Sequence, residues 1–169
     1  MKKKINISDY AAHIYEALSK GILLNTMDEK FNSMVIGWGH IGKIFSLPSF
    51  TVYVRASRYT KAQLDISGEF TVSVPLGEAD PQILKICGSK SGYDIDKVKE
   101  AALTLEEPEL IDIPGIKEFP LTLECKVLHS GKLNSAELPE EIKQRYYPGD
   151  PDEHTFYIAQ IVAAYIIEK

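Results

Sequence analysis

The chain has 169 residues, 25% of them charged and 44% hydrophobic, globular proportions that exclude a disordered, collagen-like or coiled-coil polypeptide. A chain of this length is expected to form one domain over residues 1–169 and to bury about 70% of its unfolded surface without a disulfide or metal staple. Its 19 basic and 24 acidic residues leave a net charge of −5, so no global positive field draws it to nucleic acid or an anionic membrane, and neither is expected as a partner.

Lys2, Lys3 and Lys4 are followed by Ile5-Asn6-Ile7-Ser8-Asp9 and not by an apolar signal core, so a cytoplasmic location is expected. Residues 8–20 place Tyr10, Ile14, Ala17 and Leu18 on one helical face, with Ser8 as cap and Gly21 as stop. Residues 22–26 and 33–38 are rich in strand formers and flank Asp28-Glu29-Lys30, a hairpin pattern. Residues 50–54 and 70–74 repeat the strand composition, and 57–66 between them has a capping Ser57 and helix-compatible residues.

Further helices are predicted at 80–86 and 96–103, separated by a loop at 88–92. Residues 121–128 alternate as a strand with one solvated face, 140–145 form a helical turn, and 155–167 form a long closing strand. No apolar stretch approaches the roughly 20 residues of a membrane-spanning helix. Short, mostly contiguous strands favour a mainly β fold, an antiparallel barrel with short added helices, over a parallel βαβ sheet.

Gly37-Trp38-Gly39-His40-Ile41-Gly42-Lys43 fits both a GxGxxG fingerprint and the start of a P-loop, but strand formers follow where each motif needs a helix, and Ile44 stands where a P-loop needs Ser or Thr. These glycines read as a strand end and a loop. Arg55-Ala56-Ser57-Arg58-Tyr59-Thr60 joins a strand end to a helix start. Guanidinium forks, hydroxyls and first-turn amides together suit a phosphate; a solvated basic turn is the plainer alternative. Cys87 and Cys125 have no paired spacing and read as reduced, buried small residues.

Three stretches carry a resemblance: Asn32-Ser33-Met34-Val35-Ile36-Gly37-Trp38-Gly39, Pro48 through Thr60, and Ser67-Gly68-Glu69-Phe70-Thr71-Val72-Ser73-Val74-Pro75. Cys87-Gly88-Ser89-Lys90-Ser91-Gly92-Tyr93-Asp94-Ile95-Asp96-Lys97 and His154-Thr155-Phe156-Tyr157-Ile158-Ala159 extend it. Together they resemble the flavin reductase family with the FMN-binding split barrel, in its flavoredoxin-like branch. Ala159 departs from the usual glycine, and Tyr93 from a common basic residue.

The resemblance implies a Greek-key split β-barrel that binds FMN, takes hydride from NAD(P)H as co-substrate and passes electrons to a second acceptor. It implies that Asn32, Ser33, Met34, Val35, Ile36, Gly37 and Trp38 line the isoalloxazine, that Arg55, Ser57, Arg58, Tyr59 and Thr60 hold the phosphate, and that Ser89, Lys90 and Ser91 close over the cofactor. His154 is implied as the catalytic residue beside the flavin or nicotinamide, with a structural role as the alternative; Trp38 is either a cofactor wall or core. A homodimer is implied. The second reading is an FMN-carrying electron carrier reduced by a redox protein partner, and the third a split-barrel binding protein without turnover. Asp150, Asp152, Glu153 and His154 lack a convincing metal-ligand set, so no metal is expected.

Overall fold

The computed structural model describes residues 1–149 and 151–168. Among the described residues, ten strands and five α-helices follow in chain order: β1 Lys2–Lys4, α1 Ala11–Leu18, β2 Ile22–Met27, β3 Phe31–Ile36, β4 Gly39–Ile44, β5 Leu47–Arg55, α2 Tyr59–Ser67, β6 Glu69–Val74, α3 Pro81–Ser89, α4 Lys97–Glu100, β7 Leu105–Glu106, β8 Gly115–Ile116, β9 Leu121–Lys132, α5 Glu140–Tyr146 and β10 His154–Ile167. Strands pair in the order β3-β2-β6-β9-β10-β5-β4, with β1 added to β10, and every pairing is antiparallel. The crossover from β5 through α2 to β6 spans this path as a Greek-key return.

Ile36 of β3 and Ile41 of β4 contact the same apolar cluster, built on Phe50, Val52, Phe70, Val72, Leu123 and Tyr157, so the sheet is rolled around one core. Its two end strands, β3 and β4, are separated in sequence only by Gly37-Trp38. That dipeptide sits at the split of the barrel. A second apolar cluster joins Leu23 and Phe31 to Ile83 and Cys87 of α3 and to Ile116 and Phe119 outside the barrel.

Several boundaries differ from expectation, each for a local reason. Ser8 does not cap α1: Asn6 caps a 3-10 turn at Ile7–Asp9, its side chain accepting from the Ser8 N–H at 3.3 Å, and α1 begins after Tyr10. Ser57 does not cap α2 either, because its hydroxyl is spent on Asp152 and the cap position falls to Arg58. The glycines of 37–42 are only partly loop, since Gly39 through Ile44 pair with Leu47 through Val52 across a two-residue turn. Phe45 and Ser46 hold φ of 52° and 60° in that turn, the left-handed pair that matches the strand twist. Gly39 has a packing reason: a Cβ there would sit 3.0 Å from the Phe50 ring.

Residues 88 and 89 continue α3 instead of opening a loop. The outer face of β9 is also not solvated at its start, where Leu121 through Cys125 are all buried. Glu124 there accepts from the Glu109 and Leu110 amides at 2.6 and 2.7 Å and from the Tyr165 hydroxyl at 2.9 Å. The Pro-broken segment before β9 folds back over it and satisfies the charge.

Candidate functional site

Two adjoining clefts, of about 180 and 200 Å3, open beside β3 and share Met34, Val35 and Arg58. The first is walled by Ile36, Gly37, Trp38, Tyr53, Arg55 and His154. The second is walled by Asn32, Ser57, Tyr59, Thr60, Lys90 and Ser91, with Cys87, Gly88, Gly92 and Lys97. The structure thus brings together the strand, the phosphate-suited turn and the later loop, which lie far apart in sequence. Ser33 and Ser89 stand behind this surface: Ser33 is fully buried, and the Ser89 hydroxyl bonds the Lys85 carbonyl at 2.6 Å within α3.

Among the described residues β3 pairs with β2 on one side only. The Ser33 carbonyl meets Lys97 Nζ at 2.7 Å, so it faces the open edge. N–H and C=O of one residue point to the same edge and alternate along a strand, which puts the Val35 amide on that edge as well. With the Ser33 carbonyl held by Lys97, the Val35 backbone is what a planar heterocycle with ring nitrogens and carbonyls can bond.

The polar end is built from buried parts. Asn32 donates to Thr60 Oγ1 at 2.9 Å, fixing β3 to the start of α2, while Asn32 Oδ1 is buried without a partner. A Cβ on Gly92 would collide with that oxygen and with the Tyr59 ring, so only glycine lets the chain approach here. Lys97 is 3% exposed, and its ammonium donates to the Ser33 and Cys87 carbonyls at 2.7 and 3.0 Å, leaving a third N–H. Burial pushes the Lys97 pKa down, opposed by Cys87 and aided to a lesser degree by nearby Arg58. Burial raises the Cys87 thiol, opposed by Lys97 and a Ser33 contact, so it stays protonated. An anion bound between Arg58 and Lys97 would relieve their repulsion.

Arg55 is committed differently. Its guanidinium donates to the Asp152 carbonyl at 2.8 Å and the Tyr146 carbonyl at 3.1 Å and lies over the Tyr147 ring, so it straps residues 146, 147 and 152 against the cleft. Ser57 joins the strap, giving both its N–H, at 3.0 Å, and its hydroxyl to the Asp152 carboxylate. Tyr59 packs edge-on to Tyr93, centroids 4.7 Å apart, and Lys90 pairs with Glu100 at 3.5 Å.

At the other end Trp38 is 42% exposed and is not core; it packs on His154 at 4.9 Å and edge-on to Tyr146 at 5.2 Å. Burial, with help from Arg55 and Arg58 and against Asp152, lowers the His154 pKa to about 4, so the ring is neutral at pH 7. A larger groove of about 840 Å3, lined by Tyr15, Leu18, Lys20, His40 and Leu133, reaches this end through Gly37, Trp38 and Tyr53. Asp150 lies outside the described residues. Among the described residues no helix is long and apolar enough to cross a membrane.

Lys97, Gly92, Gly88, Cys87 and Tyr53 are the cleft residues that sequence reasoning missed. A signal existed for Lys97, in its position next to the helix-capping Asp96 at the close of the second resembling stretch.

Comparison with known proteins bears on this surface. An uncharacterized protein of Archaeoglobus fulgidus is 36% identical over 100 residues, spanning 59% of this chain and 55% of that protein, so the chain matches only about half of its length. Flavoredoxin of Desulfovibrio vulgaris is 25% identical with a TM-score of 0.67, covering 88% of this chain and 69% of that one. An FMN-binding domain of a flavin reductase-like enzyme from Shewanella baltica, 21% identical with a TM-score of 0.66 over 98% of this chain and 77% of that one, shares the fold. The sequence model of the flavin reductase like domain matches residues 18–169, strand and cleft residues included, and the chain therefore belongs to that family.

Proposed function

We propose that the chain binds FMN across the two clefts and works as a flavin-dependent oxidoreductase that draws reducing equivalents from NAD(P)H. The observation that carries this reading is the junction of a cationic, hydroxyl-bearing cleft with an aromatic one along the unpaired edge of β3. The residues present fit the group: the third N–H of Lys97, the Arg58 guanidinium and the first-turn amides of α2 suit a phosphate, and the orphaned Asn32 Oδ1 suits a ribityl hydroxyl. Bound there, FMN supplies the redox chemistry, taking a hydride and releasing electrons to a second acceptor.

The chain's own part is placement and electrostatics. The β3 amides on the open edge, Val35 foremost, donate toward atoms that gain negative charge, Trp38 and Tyr53 exclude water from one face, and Thr60, Tyr59, Lys90 and Ser91 close the phosphate end. Arg55 and Ser57 act by holding the strap that carries Tyr146 and Tyr147. His154 touches the ligand as a neutral ring. We take residues 1–169 as one such unit, in the cytoplasm and as a homodimer; the open edge of β4 supports the dimer.

The test is anaerobic mixing of the FMN-loaded protein with NADH or NADPH. Loss of flavin absorbance with either supports the proposal, and a protein that takes up no flavin ends it. The second reading, an electron carrier reduced by a protein partner, draws on the likeness to flavoredoxin and on the net charge of −5, which suits a basic partner. It wins if bound flavin ignores both nicotinamides yet accepts electrons from dithionite.

A further inference from the structure

The Tyr147 hydroxyl lies 2.6 Å from His154 Nδ1, with both side chains buried and their ring planes at 87°. Two proton arrangements satisfy that contact. In one the phenol donates to an unprotonated Nδ1. In the other Nδ1–H donates to the phenol oxygen, and the phenol proton then needs an acceptor of its own. Among the described residues that hydroxyl meets only His154. The group over the Tyr147 ring is the Arg55 guanidinium, at 5.3 Å, which accepts nothing. The first arrangement leaves only Nε2–H without a protein partner, on a ring that lines the cleft, whereas the second leaves unpaired the proton of Tyr147, a buried residue that does not line it.

We propose that Tyr147 is a positioning residue that locks His154 in the Nε2–H tautomer, so that the ring presents a hydrogen-bond donor to a carbonyl oxygen or unprotonated ring nitrogen of the ligand in the Trp38 cleft. His154 lines that cleft, and among the described residues no protein group meets Nε2. Trp38, at 4.9 Å and 39°, packs on the imidazole and limits its rotation. The groups facing His154 are Arg55 and Arg58, which oppose a second proton, Asp152, which favours one, and Tyr147, itself kept protonated by burial. The donor therefore keeps its polarity across the neutral range and does not act as an acid. Only the identity of the acceptor rests on the flavin reading; the tautomer belongs to the free chain.

Nitrogen NMR of the imidazole rings in the whole chain tests this. The expected result is His154 with Nε2 protonated and Nδ1 bare from pH 8 down to pH 5, and a shift at Nε2 with little change at Nδ1 when FMN is added. In Tyr147→Phe the two tautomers should mix and ring protonation should move up by roughly one pH unit, a tenfold change in its constant. An Nδ1–H tautomer in the wild type overturns the proposal without any variant, as does an unaltered ring in a folded Tyr147→Phe. A wild type with the expected tautomer that binds no flavin removes the functional reading and leaves the Tyr147 assignment standing.

Discussion

Ser57 and Asp152, 95 positions apart in the chain, are joined twice, by backbone N–H and by hydroxyl, to one carboxylate. The contact ties the turn before α2 to the segment that delivers His154, and with Arg55 it makes the wall of the cleft a closed frame. A residue whose type suits phosphate is thus already occupied by a carboxylate.

That tie sets the first expectation. Asp152→Ala and Ser57→Ala should each lower stability by about 1 kcal/mol, a modest value because the pair is exposed, and so lower Tm by about 2–4 °C. Both should weaken FMN and riboflavin alike in a fluorescence titration. A loss confined to FMN for Ser57→Ala would make that hydroxyl a phosphate ligand in its own right.

Arg58 and Lys97 should behave in the opposite way. A charge-assisted hydrogen bond is worth roughly 1.5–3 kcal/mol, and each 1.4 kcal/mol is about tenfold in affinity. Arg58→Ala is expected to weaken FMN by about 10- to 100-fold and leave riboflavin nearly unchanged. Lys97→Met should show the same selectivity with a lower Tm, since the Ser33 and Cys87 carbonyls lose their donor. Equal losses for both ligands would assign the two cations to the fold alone.

His154 makes stability depend on pH in a defined direction. Its folded pKa, about 4, lies below the ordinary 6.5, so the unfolded chain takes up a proton that the folded chain refuses. Stability is therefore lost as pH falls from about 6.5 to 4, by up to about 3 kcal/mol. Urea midpoints measured across that window should slope less steeply in His154→Gln. Parallel slopes in the two proteins would contradict the burial assigned to this ring.

Glu124 carries the largest expected stability effect outside the site. Glu124→Ala leaves two backbone amides and the Tyr165 hydroxyl without an acceptor, at a cost of roughly 2–4 kcal/mol and a fall in Tm of about 5–15 °C. Thermal unfolding followed by circular dichroism measures it directly, and a change under 2 °C would mean the carboxylate is solvated.

The contrast between Glu124 and β3 shows how much of this protein is legible in its sequence. The β2–β3 hairpin is plain because strand formers flank a polar turn, and the antiparallel mainly β fold follows from several such runs. The strand at Gly39–Ile44 is hidden, since two glycines and a lysine say little about pairing until β5 lies beside them. Lys97 and Glu124 read as solvated charges in any local window; only the open edge of β3 and the folded-back segment over β9 bury them. The anion-suited turn at 55–60 is legible by residue type, but the division of labour within it depends on Asp152, which no local spacing reveals.

The unpaired edge of β3 has a cost for the chain before any ligand arrives. Backbone donors and acceptors left open on an end strand are a template for a strand from another molecule, and this edge is bordered by apolar Met34 and Val35. Freshly made protein is thus open to edge-to-edge aggregation at the surface proposed for FMN, and supplying FMN during expression should improve the yield of unaggregated protein.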